Sequence, residues 1–386
     1  MLVPDLPLTG LTVLDFSTLL PGPLASLMLS EAGADVIKVE PPGGENMRRS
    51  QPSWGSDSAI FAMLNAGKKC ISLDLKNKKH RDALLPLIER ADVVIEQFRP
   101  GVMERLNLDY ATLTILNPGL IYCSITGYGQ TGEFSQRAGH DLNYLSETGL
   151  LALNPGPPGN PQLPPLLAAD IAGGAYPAVI NILLALARQQ LSGRGQHLDV
   201  AMTDNMFPFA FWALPNGWLG QGWPERDSHV FSGGSPRYQL YEASDGALLA
   251  VGALEDKFWG AFCRAIGLGE KFRGVECDPQ AAIEAIREII SAHPGAHWEQ
   301  LLAGDDCCCG LVRNLEDALA TPHFRGRGLF DYVLSDGGEG RMPALPLPLA
   351  PELRRPKSEA RTSSAEGQHN QELLGENWPG TKGSAG

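Results

Sequence analysis

The first third of the chain alternates short apolar runs with segments whose apolar residues recur at helical spacing. Apolar runs of this length predict buried strands, and the segments between them predict helices. The predicted strands are residues 11–16, 35–40, 69–73, 91–96 and 120–125, and the predicted helices are residues 23–32 and 81–90. Pro86 inside the second helix predicts a kink or a nearby helix start. This alternation is typical of an α/β fold with a mostly parallel sheet.

The pattern changes after residue 150. Residues 153–165 are rich in Pro, Gly and Asn, which predicts a loop that could form an active-site wall. Residues 171–190 are apolar on almost every side, which predicts a buried helix. A further strand is predicted at 198–202. The aromatic residues of 206–223 then indicate a crossing between domains.

From about residue 226 the elements become shorter and indicate a second, smaller domain. Its predicted strands are 237–242 and 247–251, and its predicted helices are 257–266 and 279–291. Since 386 residues exceed one usual hydrophobic core, two domains are expected. We therefore predict a large domain over 1–200, a linker over 201–225 and a small α+β domain over 226–330. Residues 331–386 are predicted to return to the large domain.

The composition and the net charge limit the classes of binding partner that are expected. Apolar residues make up 43% of the chain and charged residues 19%, as in globular proteins, while the net charge of −13 disfavours nucleic acid and anionic membrane surfaces. Residues 1–5 lack the basic start of a targeting segment. The longest apolar run, 178–187, is broken by Asn181 and is too short to span a bilayer. These features predict a cytoplasmic protein without a membrane partner.

The seven cysteines show no paired spacing of a metal site. Adjacent side chains on a strand point to opposite faces, so Cys307, Cys308 and Cys309 do not readily chelate one ion. We predict that the thiols are reduced and structural, that the triplet lies in a buried strand, and that no metal is bound.

The turn after the first predicted strand disfavours a dinucleotide site. Residues 17–23 read STLLPGP, without a G-x-G-x-x-G pattern, and the two prolines remove donors that a pyrophosphate needs. Glu40 stands where a ribose-binding acid would be, but that signal is weak without the glycines. A hydride-transfer enzyme is therefore disfavoured.

Basic residues recur near predicted strand ends, where ligands of such sheets collect. These residues are Lys38, Arg48, Arg49, Lys68, Lys69 and Arg99. A solvated surface position is the simpler interpretation of any single one. Their recurrence in an acidic chain favours a phosphate-bearing ligand.

The segment GHDLNY at 139–144 and the later Asp170 carry the candidate chemistry. His140 and Asp170 form a candidate pair of proton-transfer groups on separate elements. The alternative for Asp170 is a helix N-cap, which contributes about 1 kcal/mol and no chemistry. The pair Gly173 and Gly174 indicates close approach of a ligand or of another backbone. Proton transfer, nucleophilic attack by Asp170 and a structural role all stay open on spacing alone.

Together with the segment at 139–144, five further stretches of the chain resemble the class III CoA-transferase superfamily, and within it the α-methylacyl-CoA racemases. The five stretches are residues 8–15, 33–40, 98–102, 127–132 and 195–200. The segment at 139–144 and VGALEDKFW at 251–259 resemble the racemase branch. Glu133, where a Pro is common, the Pro-rich loop at 153–165 and the tail after residue 351 depart from the family pattern.

The resemblance implies a Rossmann-like large domain, a smaller domain and a homodimer of two interlocked rings. It places the active site between the large domain of one subunit and the small domain of the other. In transferases an Asp at the position of Asp170 forms an acyl anhydride, whereas in racemases it transfers a proton. The resemblance further implies that Glu255 pairs with His140, and that a backbone N–H near Asp141 stabilises an enolate.

The function implied is epimerisation of 2-methylacyl-CoA thioesters by 1,1-proton transfer, with CoA as part of the substrate and no separate cofactor. The alternatives are a class III CoA-transferase acting through Asp170 and a CoA-binding protein without catalysis. The expected contacts to CoA are Lys38, Lys68, Lys69, Arg99, Gly101 and Tyr144.

Overall fold

The computed structural model describes residues 6–154, 156–157, 159–274, 276–375 and 378. The N-terminal residues 1–5, two positions of the predicted loop at 153–165 and most of the last eleven residues lie outside this range. The chain forms two compact units. Unit 1 comprises Met1–Thr148, Pro164–Pro208 and Gly328–Gly386, and unit 2 comprises Gly149–Leu163 and Phe209–Arg327.

These units differ from the predicted domain boundaries in three places, of which the shift of the last boundary from residue 330 to Arg327 is the smallest. The predicted linker, 201–225, is divided between the units after Pro208. The segment Gly149–Leu163 groups with unit 2, although it lies within the predicted large domain. A contact inside unit 2 accounts for this grouping, because Arg226 Nη1 donates a hydrogen bond to the carbonyl oxygen of Gly156.

Unit 1 is built on a parallel sheet. Its strands are β1 (Thr12–Asp15), β2 (Asp35–Glu40), β3 (Ser53–Trp54), β4 (Asp57–Ser58), β5 (Lys69–Ser72), β6 (Val93–Glu96), β7 (Ile121–Thr126) and β8 (Gln196–Ala201). Six of them form one sheet in the order β5-β2-β1-β6-β7-β8, while β3 and β4 form a small antiparallel hairpin. All pairs in the large sheet are parallel. This confirms the predicted α/β fold with a mostly parallel central sheet.

Helices cover both faces of that sheet. They are α1 (Pro21–Glu31), α2 (Ala59–Asn65), α3 (Lys78–Glu89), α4 (Val102–Arg105), α5 (Tyr110–Leu116), α6 (Asp141–Glu147) and α7 (Tyr176–Ser192). On one face, α3 and α5 bury Leu84, Leu87 and Leu113 against the strand residues. On the other face, α1 and α7 contact the strands. The α3 helix continues through Pro86 from an Asn77 N-cap, so Pro86 does not mark its start.

The apolar helix after Asp170 differs from the prediction. It begins as a π-helical segment, Ala169–Ala175, and continues as α7. One side is buried against α1, β7 and β8, but Ile180 is 56% exposed and Leu184 is 65% exposed. The prediction of an entirely buried helix is therefore wrong for the single chain, because apolar residues on the outer side of α7 are exposed in the part of the chain that the structure describes.

The same stretch, Ala169–Ser192, has 24 residues and contains an 18-residue window with a mean hydropathy of 1.5, so its length and composition would suffice to cross a membrane. Half of that window is buried inside the protein. A core helix meets the same criteria, so this observation alone assigns no membrane contact.

Unit 2 carries a three-stranded antiparallel sheet with helices. Its strands are β9 (Tyr238–Glu242), β10 (Leu248–Gly252) and β11 (Cys309–Leu311), and its helices are α8 (Leu214–Trp218), α9 (Asp256–Ala265), α10 (Pro279–Ile290), α11 (Gly295–Leu302), α12 (Leu315–Ala320) and α13 (Pro322–Gly326). A core of Tyr241, Phe262 and Ile286 joins the sheet to α9 and α10. The tail adds β12 (Val333–Ser335), β13 (Arg341–Pro343) and α14 (Asn370–Leu374) to unit 1.

The cysteine triplet only partly follows its prediction. Cys309 lies in β11, whereas Cys307 and Cys308 precede the strand. Cys307 is buried, but Cys308 is exposed and has a positive φ of 53°. Because the chain bends at Cys308, the three residues do not form one buried strand. All seven cysteines are free thiols.

Candidate active site

A cavity of about 400 Å³ lies in unit 1, beyond the carboxyl ends of β1, β6 and β7. The sheet order changes direction between β1 and β6, since β2 lies on one side of β1 and β6 on the other. Parallel sheets bind ligands at such a switch point. The cavity is lined by Thr18, Leu19, Pro21, Gln97, Phe98, Arg99, Pro100, Ile125, Thr126, Gly127, Tyr128, Ser135, Arg137, Ala138, Gly139, His140, Asn143, Tyr144, Asp170 and Met202.

The turn after β1 and the turn after β6 form one wall of the cavity. The turn after β6 is fixed by Glu96, whose Oε2 accepts a hydrogen bond of 2.7 Å from the Phe98 backbone N–H. It is joined to the start of α1 because Gly22 N–H donates to Gln97 Oε1 at 3.1 Å. Arg99 follows directly and lines the cavity.

His140 lies at the N-cap of α6 with an extended backbone. Its backbone N–H donates to Asn143 Oδ1 at 3.1 Å, which fixes the turn that carries the imidazole. The His140 side chain is exposed and borders the cavity. An open imidazole at this position can meet a substrate that enters from solvent.

Tyr144 fixes the residue before His140. Its hydroxyl donates to the Gly139 carbonyl oxygen at 2.5 Å, and its ring is buried. A Cβ atom added to Gly127 or Gly139 would lie 2.4 Å or 2.6 Å from ring carbon Cε1, so both glycines make room for this ring. Tyr144 was predicted as a CoA contact, and it lines the cavity while holding the His140 turn.

Asp170 is inside the π-helical segment and is not a helix N-cap. Its backbone N–H donates to Asp141 Oδ2 at 3.0 Å. Burial, followed by the nearby negative charge of Asp141, raises the pKa of Asp170 to about 6, while His140 opposes the shift. A π-helical turn often marks a functional site. Asp170 is therefore a carboxyl group that changes protonation close to neutral pH.

The two glycines after Asp170 permit a close backbone approach. A Cβ atom at Gly173 would lie 2.6 Å from the Met202 carbonyl oxygen, and one at Gly174 would lie 3.0 Å from Pro21 Cβ. The sequence predicted that this pair allows close approach of either a ligand or another backbone. The contact of Gly173 with the Met202 backbone supports the second reason. These close contacts of Gly173 and Gly174 fix the position of the Asp170 segment against the end of β8 and the start of α1.

Lys38 and Lys68 do not agree with their predicted role as CoA contacts. Both are buried, with exposures of 1% and 3%. Lys38 Nζ lies 3.0 Å from Glu45 Oε2, and Lys68 Nζ lies 3.3 Å from Asp15 Oδ2. An ammonium group in an apolar interior requires such partners, so neither reaches a phosphate in the cavity.

Lys69 also lies away from the cavity. Its Nζ is 3.1 Å from Asp35 Oδ2 and 3.3 Å from Glu372 Oε1. Asp35 is the first residue of β2, whereas the cavity lies beyond the carboxyl ends of the strands. The prediction that Lys69 contacts CoA therefore finds no support in its position.

The remaining predicted residues lie at four places. Arg99 borders the cavity as expected, and Gly101 borders a smaller neighbouring cavity of about 150 Å³ that Arg99 also lines. Gly101 precedes α4 with a φ of 83°, a conformation that favours glycine. Asp141 is buried beside Asp170. Glu255 belongs to unit 2, where it is the exposed N-cap of α9.

Sequence reasoning missed Gln97 and Asn143, which fix the turns carrying Arg99 and His140. The position of Asn143 three residues after His140, at a helix start, was the available signal. Gln97 gave no such signal, because its partner Gly22 is 75 residues away. Among the described residues, no group of three or more His, Cys, Asp or Glu side chains could hold a metal ion.

This arrangement brings an imidazole and a carboxyl group to one cavity, with Arg99 at its edge. A base and an acid near neutral pH can move a proton on and off a bound carbon acid. A carboxylate in such a cavity can also attack a thioester carbonyl.

The chain resembles known proteins along nearly its whole length. The model of "CoA-transferase family III" matches residues 8–369. The mouse α-methylacyl-CoA racemase is 34% identical over 375 residues, covering 96% of this chain and 93% of that protein. The succinate–glutarate CoA-transferase of Agrobacterium fabrum is 33% identical and covers 96% of this chain and 95% of that protein.

A solved structure agrees with these similarities. The crystal structure of a CAIB/BAIF family protein from Brucella suis superimposes with a TM-score of 0.78 at 30% identity, covering 96% of this chain and all of that one. The fold, the cavity at the switch point and the family match over residues 8–369 agree, and the chain belongs to CoA-transferase family III.

Proposed function

We propose that the protein epimerises 2-methylacyl-CoA thioesters by 1,1-proton transfer at the α-carbon. The observation that carries the proposal is that His140 and Asp170 line one cavity. The pKa of Asp170, about 6, supports it, because a group that alternately takes and gives a proton works best when its pKa is near the working pH. The proposed reaction needs no separate cofactor.

In one direction, His140 as neutral imidazole removes the α-proton, and the C–H electron pair forms the enolate of the thioester. Protonated Asp170 then delivers its proton to the opposite face of the same carbon. In the reverse direction the two groups exchange roles. After each turnover, His140 and Asp170 together still carry one proton, which has moved from one group to the other. The backbone N–H at the start of α6, near Asp141, is the proposed donor to the enolate oxygen.

The proposed place of the CoA moiety rests on Arg99. Its guanidinium group borders both cavities beyond the carboxyl ends of the strands and suits a phosphate geometrically. Lys38 and Lys68 are left out of this proposal because buried carboxylates pair with them, and Lys69 is left out because it pairs with Asp35 away from the cavity.

We further propose that the active enzyme is a homodimer of interlocked rings. The outer side of α7 supports a second copy, since Leu184 is 65% exposed and Leu191 is 91% exposed. Large apolar side chains grouped in this way mark interaction surfaces. Glu255 of that second copy is the proposed partner of the His140 imidazole. A monomeric mass at micromolar concentration, measured by light scattering, would remove this part of the proposal.

A second function, acyl transfer through Asp170, is favoured by the 33% identity to the succinate–glutarate CoA-transferase. In that reaction the Asp170 carboxylate attacks the thioester carbonyl, CoA leaves as a thiolate, and a mixed anhydride forms. That chemistry leaves His140 without a task.

The experiment supplies one pure epimer of a 2-methylacyl-CoA, with and without succinate, to the wild type and to His140→Ala, Asp170→Ala and His323→Ala. His323 is an exposed histidine of unit 2 and serves as the matched control. An epimerase gives both epimers without succinate and loses that activity in the first two variants only. Succinyl-CoA formation that needs Asp170 but not His140, without any epimer mixture, would establish the transferase instead.

A further inference from the structure

The turn after β1 rests on a buried group of charges, here called the ion cluster: Asp15, Lys38, Glu45 and Lys68. Their exposures are 0%, 1%, 3% and 3%. The cluster holds two acids and two bases, so its formal charges balance. Its members come from β1, β2, the turn after β2 and the residue before β5. None of the four lines the cavity of about 400 Å³.

The ion cluster holds Ser17 at three of its atoms. Asp15 Oδ1 accepts hydrogen bonds from the Ser17 backbone N–H, at 2.9 Å, and from its hydroxyl. Lys38 Nζ donates to the Ser17 carbonyl oxygen at 2.9 Å. Both the backbone donor and the backbone acceptor of Ser17 therefore have charged partners, which make stronger hydrogen bonds than neutral ones.

Lys68 keeps the other end of Asp15 in place. Its Nζ contacts Asp15 Oδ2 at 3.3 Å and also donates to Pro23 O at 2.9 Å and to Asn65 Oδ1 at 2.8 Å. The nearby ammonium groups and hydroxyls hold the pKa of Asp15 at about 2 despite its burial. Asp15 is thus an anionic acceptor for Ser17 at neutral pH.

Leu19, two residues after Ser17, has a left-handed backbone with φ of 63° and lines the cavity. A leucine in this region is strained, because its Cβ crowds the backbone. Such strain persists only where the surroundings fix the conformation, and it concentrates at functional sites. Pro21, at the end of the same turn, packs against Gly174 of the segment that carries Asp170.

We propose that Lys38 and Lys68 are positioning residues, which act through Asp15 and Ser17 to hold the strained turn of residues 17–21 as a wall of the substrate cavity. They contact neither substrate nor reacting atoms. The link to substrate rests on the proposed function, whereas the fixed turn does not.

The first test is hydrogen–deuterium exchange, followed by mass spectrometry, of the wild type, Lys38→Met and Lys78→Met. Lys78 is the matched control, since its side chain is 77% exposed and pairs with Asp82 on the surface of α3. Lys38→Met should speed exchange in peptides covering residues 16–20 by about tenfold or more, with no change in peptides of β6 and β7. Unchanged exchange in the turn, or an equal rise in β6 and β7, would overturn the proposal.

A second pair of variants avoids an uncompensated buried charge. Ser17→Ala and Ser26→Ala each remove one hydroxyl that donates to Asp15, but Ser17 lies in the turn and Ser26 lies within α1. Only Ser17→Ala should speed exchange at residues 16–20. Equal behaviour of the two variants would show that the cluster stabilises the fold without holding the turn.

The link to substrate is measured by the Kd of CoA from calorimetry and by the KM of the thioester. Ser17→Ala should raise both by about tenfold while kcat stays within about threefold, because the wall binds substrate but does no chemistry. A fall in kcat with unchanged KM would contradict this role. If the wild type does not bind CoA at all, the proposed function fails, and the exchange experiment still decides whether the cluster holds the turn.

Discussion

The Asp170 backbone N–H donates a hydrogen bond to Asp141 Oδ2 at 3.0 Å. Asp141 is the first residue of α6 and directly follows His140, so this bond ties the imidazole turn to the segment that carries the second candidate group. The same carboxylate places a negative charge beside the Asp170 side chain and raises its pKa. Asp141 thus contributes both to the geometry of the pair and, after burial, to the raised pKa of Asp170.

Replacing Asp141 with Asn should lower the pKa of Asp170 from about 6 toward its ordinary value of 3.8, because the neighbouring negative charge is lost. The Asn oxygen can still accept the backbone hydrogen bond. The acid limb of the pH–rate profile for the direction in which Asp170 is the base should therefore move to lower pH. Asp82→Asn, on the surface of α3, is the control. An unmoved acid limb would show that burial alone sets this pKa.

Asp170→Asn should abolish epimerisation and at the same time stabilise the fold at pH 7. The folded-state pKa is raised from 3.8 to about 6, so the carboxyl group favours folding below pH 3.8 and progressively loses that contribution as pH rises through 6. Allowing for partial exposure of the side chain, we expect a gain of about 1 kcal/mol at pH 7.

Urea unfolding of the wild type and Asp170→Asn at pH 7 and at pH 4 checks this expectation. The difference in unfolding free energy should be present at pH 7 and nearly absent at pH 4. A difference that is the same at both pH values would argue against a raised pKa of Asp170.

The fold was largely predictable, because most strands of the large sheet contain short runs of buried apolar residues, which are visible in the sequence. The predicted strand at 35–40 coincides with β2, Asp35–Glu40. The π-helical turn around Asp170 was not predictable, since the apolar pattern that follows Asp170 is the same for a π-helical and an α-helical start. It depends on Met202 and Pro21 packing against Gly173 and Gly174.

The site was predicted correctly only in part, and the lysines show why. A lysine near a strand end can reach outward to a ligand or inward to a buried acid, and both choices look alike in sequence. The inward choice of Lys38 depends on Glu45 and the Ser17 carbonyl oxygen, which come close only in the folded sheet. Among the residues that the structure describes, no acid forms an ion pair with Arg99, which lines the cavity.

Tyr144→Phe should cost about 1 kcal/mol of unfolding free energy and lower kcat/KM severalfold, because the Gly139 carbonyl loses its donor and the His140 turn loosens. Tyr241→Phe is a matched variant. Its hydroxyl donates to Pro236 O at 2.9 Å, and Tyr241 lines neither of the two cavities of unit 1. It should lose similar stability without losing activity. Equal loss of activity in both variants would remove the special role of Tyr144.

Gly173→Ala should destabilise the protein by about 1–3 kcal/mol, because the new Cβ would lie 2.6 Å from Met202 O and push the Asp170 segment outward. Gly326→Ala, where a Cβ meets nothing within 4 Å, should be nearly neutral. Thermal unfolding of both variants gives the comparison. A fully stable Gly173→Ala protein would show that the segment has room to move.

The most direct test of the central claim is incorporation of deuterium at the α-carbon of a single 2-methylacyl-CoA epimer in D₂O, followed by mass spectrometry and NMR. We predict that the wild type incorporates one α-deuterium and forms the second epimer, and that His140→Ala slows both by orders of magnitude. If no α-deuterium enters while CoA moves to an added carboxylate, proton transfer by His140 and Asp170 is contradicted.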